Sequence, residues 1–338
     1  MIHEQDRRQF LRKAGLITAV GAAASLEEQI LLAGIQQPVN TEGDQTSQVI
    51  AREMPHGKVR DISISRLVIG GNLIGGFAHS RDMVYVSRLL KAYNTEEKVF
   101  ETLALAEAHG INTIQCNPAC LPLVEKYNKE RGGKLQAIVC ITPDADKDAV
   151  RREIDEVLSH GATMLYTHGG RSEPPVMSNR LDVLANTIEC IKAAGVPAGI
   201  GSHSLTVTVE CEKNNIGAEF YVKTLHSDQY WSATPKELRE DFCWQKPRRP
   251  EPFAFNDNMW CINPEETIEF MKTVTKPWFA FKILAAGAIH PRQGFPYALR
   301  NGADFLIVGM FDFQIAEDTA MFLDSFKKLG RRERPWCA

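Results

Sequence analysis

Between Arg66 and Leu329 the sequence alternates eight times between a short apolar or β-branched run and a longer stretch of helical character. The expected strands are Arg66–Gly70, Asn112–Gln115, Gln136–Ile141, Thr163–Thr167, Ala198–Gly201, Glu219–Thr224, Phe279–Leu284 and Asp304–Val308. Helices are expected over Thr95–His109, from Leu121, from Pro143-Asp144-Ala145-Asp146, and over Asn179–Ala194, Thr206–Asn214, Pro264–Val274, Pro291–Asn301 and Ala316–Leu329. Asn94 or Thr95 caps the first of these, with Glu96 and Glu97 in its first turn. His109-Gly110, His160-Gly161 and Asn301-Gly302 stop helices just before strands, where glycine relieves the left-handed turn. Strands alternating with helices call for a parallel sheet. Eight such units fit a closed (β/α)8 barrel, the TIM barrel, better than an open sheet. Gly70-Gly71-Asn72-Leu73-Ile74-Gly75-Gly76 only loosely imitates a dinucleotide-binding turn, and no acidic residue ends the second strand.

Asp6-Arg7-Arg8-Gln9-Phe10-Leu11-Arg12-Lys13 sets paired arginines ahead of Phe-Leu, and a weakly apolar stretch, Ala14 to Leu26, follows. The pattern resembles a bacterial twin-arginine (Tat) export signal. The plain alternative is a basic amphipathic first helix of a cytoplasmic protein. The resemblance implies a signal-like segment over residues 1–35, recognition by the Tat translocation machinery, and a periplasmic or otherwise exported protein. It further implies a chain that crosses already folded, into a compartment without a free nicotinamide pool. Residues 36–58 are polar and read as a linker, which leaves 59–338 for the barrel.

With 39 basic and 42 acidic residues the net charge is −3, so no basic excess marks a nucleic-acid or anionic-membrane surface. No apolar run reaches the roughly 20 residues of a transmembrane helix, so no stable membrane insertion is expected. The expected partner is a small-molecule substrate. The cysteines show no regular spacing and read mostly as buried thiols, with at most one bridge.

In a TIM barrel the loops at the carboxyl ends of the strands carry function. Five histidines follow expected strands: His79, His168, His203, His226 and His290. His109 and His160 instead precede helix-ending glycines and read as partners of helix C-termini. The fourth, fifth and sixth strands are neighbours, so His168, His203 and His226 are expected at one rim. Three imidazoles can hold a divalent Zn, Mn or Fe ion and leave a position open for water or substrate. The alternative is a metal-free pocket of hydrogen-bonding neutral histidines. Cys116 and Asp228 are candidate fourth ligands.

Lys282 interrupts Trp278-Phe279-Ala280-Phe281-Lys282-Ile283-Leu284, and Lys223 holds a similar place in the sixth strand. A buried lysine can lose its charge and act as base or Schiff-base nucleophile. The plainer reading is a cation that holds a substrate oxygen or neutralises a carboxylate. Lys282, His168 and Asp228 are the candidate catalytic groups, and Asn72, His79, Cys116, Lys223, Trp231 and Trp244 the candidate substrate contacts. Ala285-Ala286-Gly287-Ala288-Ile289 and Val308-Gly309-Met310 offer backbone amides for an anion, or simply tight strand-to-helix turns. Residues 227–263 form a long insertion rich in aromatics, read either as a lid over the site or as a cluster that staples a loop.

Arg66-Leu67-Val68-Ile69-Gly70, Ala108-His109-Gly110-Ile111-Asn112 and Leu165-Tyr166-Thr167-His168 resemble an aldo-keto reductase barrel over about residues 62–205. The resemblance implies NADP as an alternative cofactor and places His168 on that family's active-site histidine. The family's catalytic aspartate falls on Gln115 and its tyrosine near Cys120. Its lysine has no counterpart in Ile138-Val139-Cys140-Ile141. The expectation is therefore a barrel enzyme that isomerises, epimerises or eliminates on a small carbohydrate-like substrate. The alternatives are a divergent aldo-keto reductase-like oxidoreductase and a non-catalytic exported sugar-binding barrel. Replacing Arg7 and Arg8 with Lys is expected to strand the protein in the cytoplasm on cell fractionation. Unchanged periplasmic yield would contradict the export reading.

Overall fold

The computed structural model describes residues 53–338, apart from 78, 80–82, 84 and 246–257. The signal-like residues and Lys246–Pro250 lie outside the described residues. Eight parallel strands close into a barrel, each paired with the next in chain order and the last with the first. They are β3 (Leu67–Gly70), β4 (Thr113–Cys116), β5 (Gln136–Ile141), β6 (Ala162–Thr167), β7 (Ala198–Ser202), β8 (Phe220–Thr224), β9 (Trp278–Phe281) and β10 (Phe305–Val308). Helices α1 (Val86–Tyr93), α2 (Glu96–Ala108), α3 (Leu121–Arg131), α4 (Lys147–Ser159) and α5 (Gly169–Met177) come from the first half. Helices α6 (Leu181–Ala193), α7 (Leu205–Lys213), α8 (Pro264–Thr273), α9 (Pro291–Arg300) and α10 (Asp312–Lys327) complete the set. The fold is a (β/α)8 barrel.

Alternation along the strands sorts side chains into two cores. Val68, Ile138, Cys140, Met164, Tyr166, Phe220, Val222, Phe279, Phe305 and Ile307 fill the interior. Their neighbours, among them Leu67, Ile69, Ile114, Val139, Leu165, Ile200 and Tyr221, pack outward against the helices. Phe279 and Phe305 stack at 4.3 Å between ring centroids, and Phe220 meets Phe279 edge-on at 5.3 Å. Gly199 makes room for Phe220, since a Cβ there would sit 2.4 Å from that ring.

An antiparallel hairpin, β1 (His56–Val59) and β2 (Ile62–Ser65), adds Val59 and Ile64 to the interior core. The polar linker was expected to run to residue 58, so structure begins earlier than composition suggested. His56-Gly57-Lys58 carries little apolar signal because only alternate residues of β1 are buried.

The tail latches the amino-terminal side of the barrel. The buried Asp304 carboxylate accepts from Arg334 at 2.7 Å, from the Trp278 N–H at 2.9 Å and from the Cys337 N–H at 2.9 Å. Arg334 also donates to the carbonyls of Met271, Gly302, Val274 and Lys276. Arg66 and Arg332 stack on Trp336 at 3.8 and 3.5 Å. Breaking a buried pair leaves an uncompensated charge, so Arg334→Met is expected to lose about 3–5 kcal/mol of unfolding free energy in a urea titration. A loss below about 1 kcal/mol would contradict the latch.

Candidate active site

At the carboxyl end of the barrel, β6 runs into α5, a helix whose Pro174 and Pro175 hide it from helix-propensity reading. This helix carries Glu173, which is fully buried. Its Oε1 accepts from the backbone N–H groups of His203 and Ser204 at 3.0 and 3.3 Å, and lies 3.1 Å from His203 Nδ1. Its Oε2 accepts from Gln245 Nε2 at 2.9 Å and from the Trp244 indole N–H.

Burial alone would push the Glu173 carboxyl up, but its hydrogen bonds with His203, Gln245 and Trp244 outweigh that and hold it below the usual range. Burial pulls His203 down to about 4 against the opposing pull of Glu173. At neutral pH the pair is therefore a carboxylate and a neutral imidazole. Nδ1 donates to Glu173, which leaves the lone pair on Nε2.

Trp260 is the hub of the surrounding rings. His203 packs on it at 4.6 Å, His79 at 4.9 Å and Trp244 at 5.7 Å between centroids, and Lys282 Nζ stands 4.2 Å from its ring. His203 also meets Trp244 at 5.2 Å and Phe281 at 5.5 Å. Lys282 Nζ contacts His79 Nε2 at 2.5 Å. A cavity of about 480 Å3 opens beside this cluster, bounded by Asn72, His79, Gln115, Trp260, Phe281 and Lys282 among others.

Several residues singled out in the sequence take other positions. The three histidines do not form a metal centre. His226 Nδ1 donates to the Ser227 carbonyl at 2.9 Å, and its Nε2 accepts from the N–H groups of Trp260 and Cys261 at 3.0 and 2.8 Å. Both nitrogens are thus committed to pinning the returning loop, and no cluster of three metal-ligating side chains occurs among the described residues. His168 is exposed on the rim, where partial loss of water and the charges of Arg171 and Lys282 lower its pKa. His290 caps α9, its Nδ1 accepting from the Arg292 N–H at 3.2 Å.

Asp228 is paired with Arg239 at 2.8 Å, inside the insertion. Cys116 is buried in the outer core, and burial pushes its thiol up. All eight cysteines are free. Lys223 is fully buried but shares its strand face with Tyr221 and Leu225, the outward side, and donates to Thr224. Burial lowers its pKa. Trp231 is 82% exposed, whereas Trp244 and Trp260 from the same insertion reach the site.

Lys282 follows β9 rather than lying within it, because the backbone turns left-handed there, with φ of 57°. Ala285 and Ala286 are also left-handed, at 47° and 55°, and Ala286, Gly287 and Gly309 border the cavity. Glu173 was missed by sequence reading. Its one signal is position, a carboxylate five residues beyond His168, the residue that follows β6.

No protein-family model matches the chain, and no curated protein matches its sequence. Solved structures do. A Pseudomonas aeruginosa protein named "putative aldo-keto reductase" is 16% identical with a TM-score of 0.55, covering 82% of this chain and 99% of that one. A second structure under that name from the same organism, also 16% identical, gives a TM-score of 0.54, covering 81% and 98%. An apo aldo-keto reductase from Bacillus halodurans is 12% identical at a TM-score of 0.49, covering 82% and 97%. The likeness is one of fold. No described helix is long and apolar enough to cross a membrane.

The buried neutral histidines make stability depend on pH. His226 lies at about 4 when folded, below the 6.5 of an ordinary histidine, so the unfolded chain binds its proton first as pH falls. Its contribution is full above about pH 6.5 and is lost as pH falls through about 4, a change of about 3 kcal/mol. In urea titrations at pH 7 and pH 4, His226→Gln is expected to lose less stability on acidification than the parent. An equal loss in both would contradict the assignment.

Proposed function

We propose that the protein is an enzyme that moves a proton next to a carbonyl, with His203 as base. The observation that carries this reading is the buried Glu173 carboxylate, whose hydrogen bonds fix one tautomer of one imidazole. A buried carboxylate costs several kcal/mol, so a structure that holds one against a histidine at the carboxyl end of the barrel fits a catalytic pair better than a structural one. In the proposed reaction His203 Nε2 takes the proton from the carbon beside the carbonyl. The C–H electron pair moves into the new C–C double bond, and the carbonyl oxygen becomes an enolate. The ammonium of Lys282, beside His79, stabilises that oxygen. Where that carbon bears a hydroxyl, the hydroxyl proton passes to the enolate oxygen and His203 returns its proton to the former carbonyl carbon, which gives isomerisation; a proton delivered by water to the opposite face of the same carbon gives epimerisation, and His203 then releases its own proton to solvent. Loss of a group from the next carbon gives elimination.

Reduction by the aldo-keto reductase route fits the residues poorly. Gln115, at the place of the family's acid, donates its amide to the Tyr166 hydroxyl at 2.7 Å. Cys140 and its neighbours supply no lysine beside it. Export remains part of the proposal, supported by Arg7 and Arg8 alone.

The test follows deuterium uptake by NMR when the protein meets a panel of aldoses, ketoses and oxo acids in D2O. General base catalysis contributes about 10²–10⁴-fold, and His203→Ala is expected to lose that much of the exchange. Glu173→Gln should lose a large part of it. The pH profile should be level above about 5 and fall as His203 is protonated near 4. Exchange undiminished in His203→Ala would overturn the reading.

A further inference from the structure

The two oxygens of Glu173 divide between two parts of the chain. Oε1 is filled from the turn after β7, by the N–H groups of His203 and Ser204 and by the His203 ring. Both donors to Oε2 among the described residues, Trp244 and Gln245, come from the insertion after β8. Gln245 Nε2 also donates to the Gly170 carbonyl at 2.7 Å, and the Trp244 ring packs on His203 at 5.2 Å between centroids.

Asp241 begins this stretch of the insertion. Its Oδ1 accepts from the Ser204 hydroxyl and its Oδ2 from the Thr206 hydroxyl at 2.5 Å, over the first turn of α7, where the helix dipole favours a negative charge. Oδ1 also accepts from the Phe242 N–H at 3.0 Å. Ser204 thereby joins two carboxylates, giving its N–H to Glu173 and its hydroxyl to Asp241. Between the two anchors Phe242 is left-handed, with φ of 56°, a conformation that a bulky residue keeps only where surrounding contacts hold it. Both hydroxyl donors are neutral and their bonds are only part-buried, so water can replace them at modest cost.

From this geometry we infer that residues 241–245 are a strap that opens and closes over the Glu173–His203 pair, and that Asp241 is the positioning residue that holds it shut. With the strap closed, Trp244 and Gln245 fill Oε2 and the indole shields the imidazole from water. With it open, Oε2 is hydrated and the His203 ring meets solvent where Trp244 covered it. Burial is what holds His203 down near 4, so opening moves it up towards 6.5. Cys243 lies inside the strap, and burial pushes its thiol up to about 12, so it reports the same movement from a second position. The inference shares Glu173 and His203 with the proposed reaction but does not rest on it, because it concerns the state of the pair and not a substrate.

The full chain and its Asp241→Asn variant are compared by two readouts. One is the pH midpoint of the His203 ring nitrogens, in protein labelled with 15N at histidine. The other is the rate at which iodoacetamide alkylates Cys243 at pH 8, followed by peptide mass spectrometry, with the buried Cys190 outside the strap as reference. In Asp241→Asn the midpoint is expected to rise from near 4 to about 5 or above. Alkylation of Cys243 should quicken about tenfold or more while Cys190 keeps the parent rate. Thr206→Val removes one hydroxyl and keeps the carboxylate; it should move both readouts the same way by less, and it carries the test if Asp241→Asn fails to fold. Midpoint and rate equal to the parent's would overturn the inference, and so would a change in either one without the other. Proton exchange lost in His203→Ala beside an unresponsive strap would overturn this inference and leave the proposed reaction. A responsive strap with exchange undiminished in His203→Ala would do the reverse.

Discussion

The Glu173 carboxylate ties together three separate stretches of chain. It accepts from the turn after β7 through His203 and Ser204, and from the insertion after β8 through Trp244 and Gln245, while standing on α5 after β6. A carboxylate without water is tolerable only when its lone pairs are filled by donors. The acceptor stands after β6 and its donors come from the turn after β7 and from one long loop, so the rim must hold all three in register. The position of the His203 ring, the tautomer it adopts and the approach of Trp244 all follow from satisfying that one charge.

The barrel beneath supplies the rigidity this requires. Phe220, Phe279 and Phe305 fill the interior below the site, and the hairpin residues Val59 and Ile64 add to that packing. The Asp304–Arg334 latch fixes β9 and β10 from the tail. Trp260 then converts a fixed rim into a shaped one. Its backbone N–H is held by His226, and its ring carries contacts from His79, His203, Trp244 and Lys282. His226 therefore works at one remove from the cavity, by holding the loop that places the indole.

Much of the fold was legible because the strands are short, buried and bounded by glycine or polar turns. β5 coincides with the expected Gln136–Ile141, and the others fall within a few residues of expectation. The seventh strand was read three residues too long, since Phe281-Lys282-Ile283-Leu284 keeps an apolar pattern while the backbone turns left-handed at Lys282. Helix α5 was invisible because Pro174 and Pro175 oppose helix by propensity, and Glu173 was lost with it. The site was less legible than the fold. Strand order places three histidines at one rim, but it says nothing about which ring nitrogens the backbone has already claimed. For His226 both are claimed by Ser227, Trp260 and Cys261. Lys223 shows the same limit: in a strand buried on both faces, sequence does not tell inward from outward.

The tautomer and charge of His203 can be read directly from the nitrogen shifts of its imidazole, in protein labelled with 15N at histidine and titrated between pH 4 and 8. The expected spectrum has the proton on Nδ1 and a bare Nε2, unchanged through neutrality, with protonation only near pH 4. In Glu173→Gln that fixed tautomer should be lost. A His203 ring that titrates near 6.5, or that carries its proton on Nε2, would contradict it.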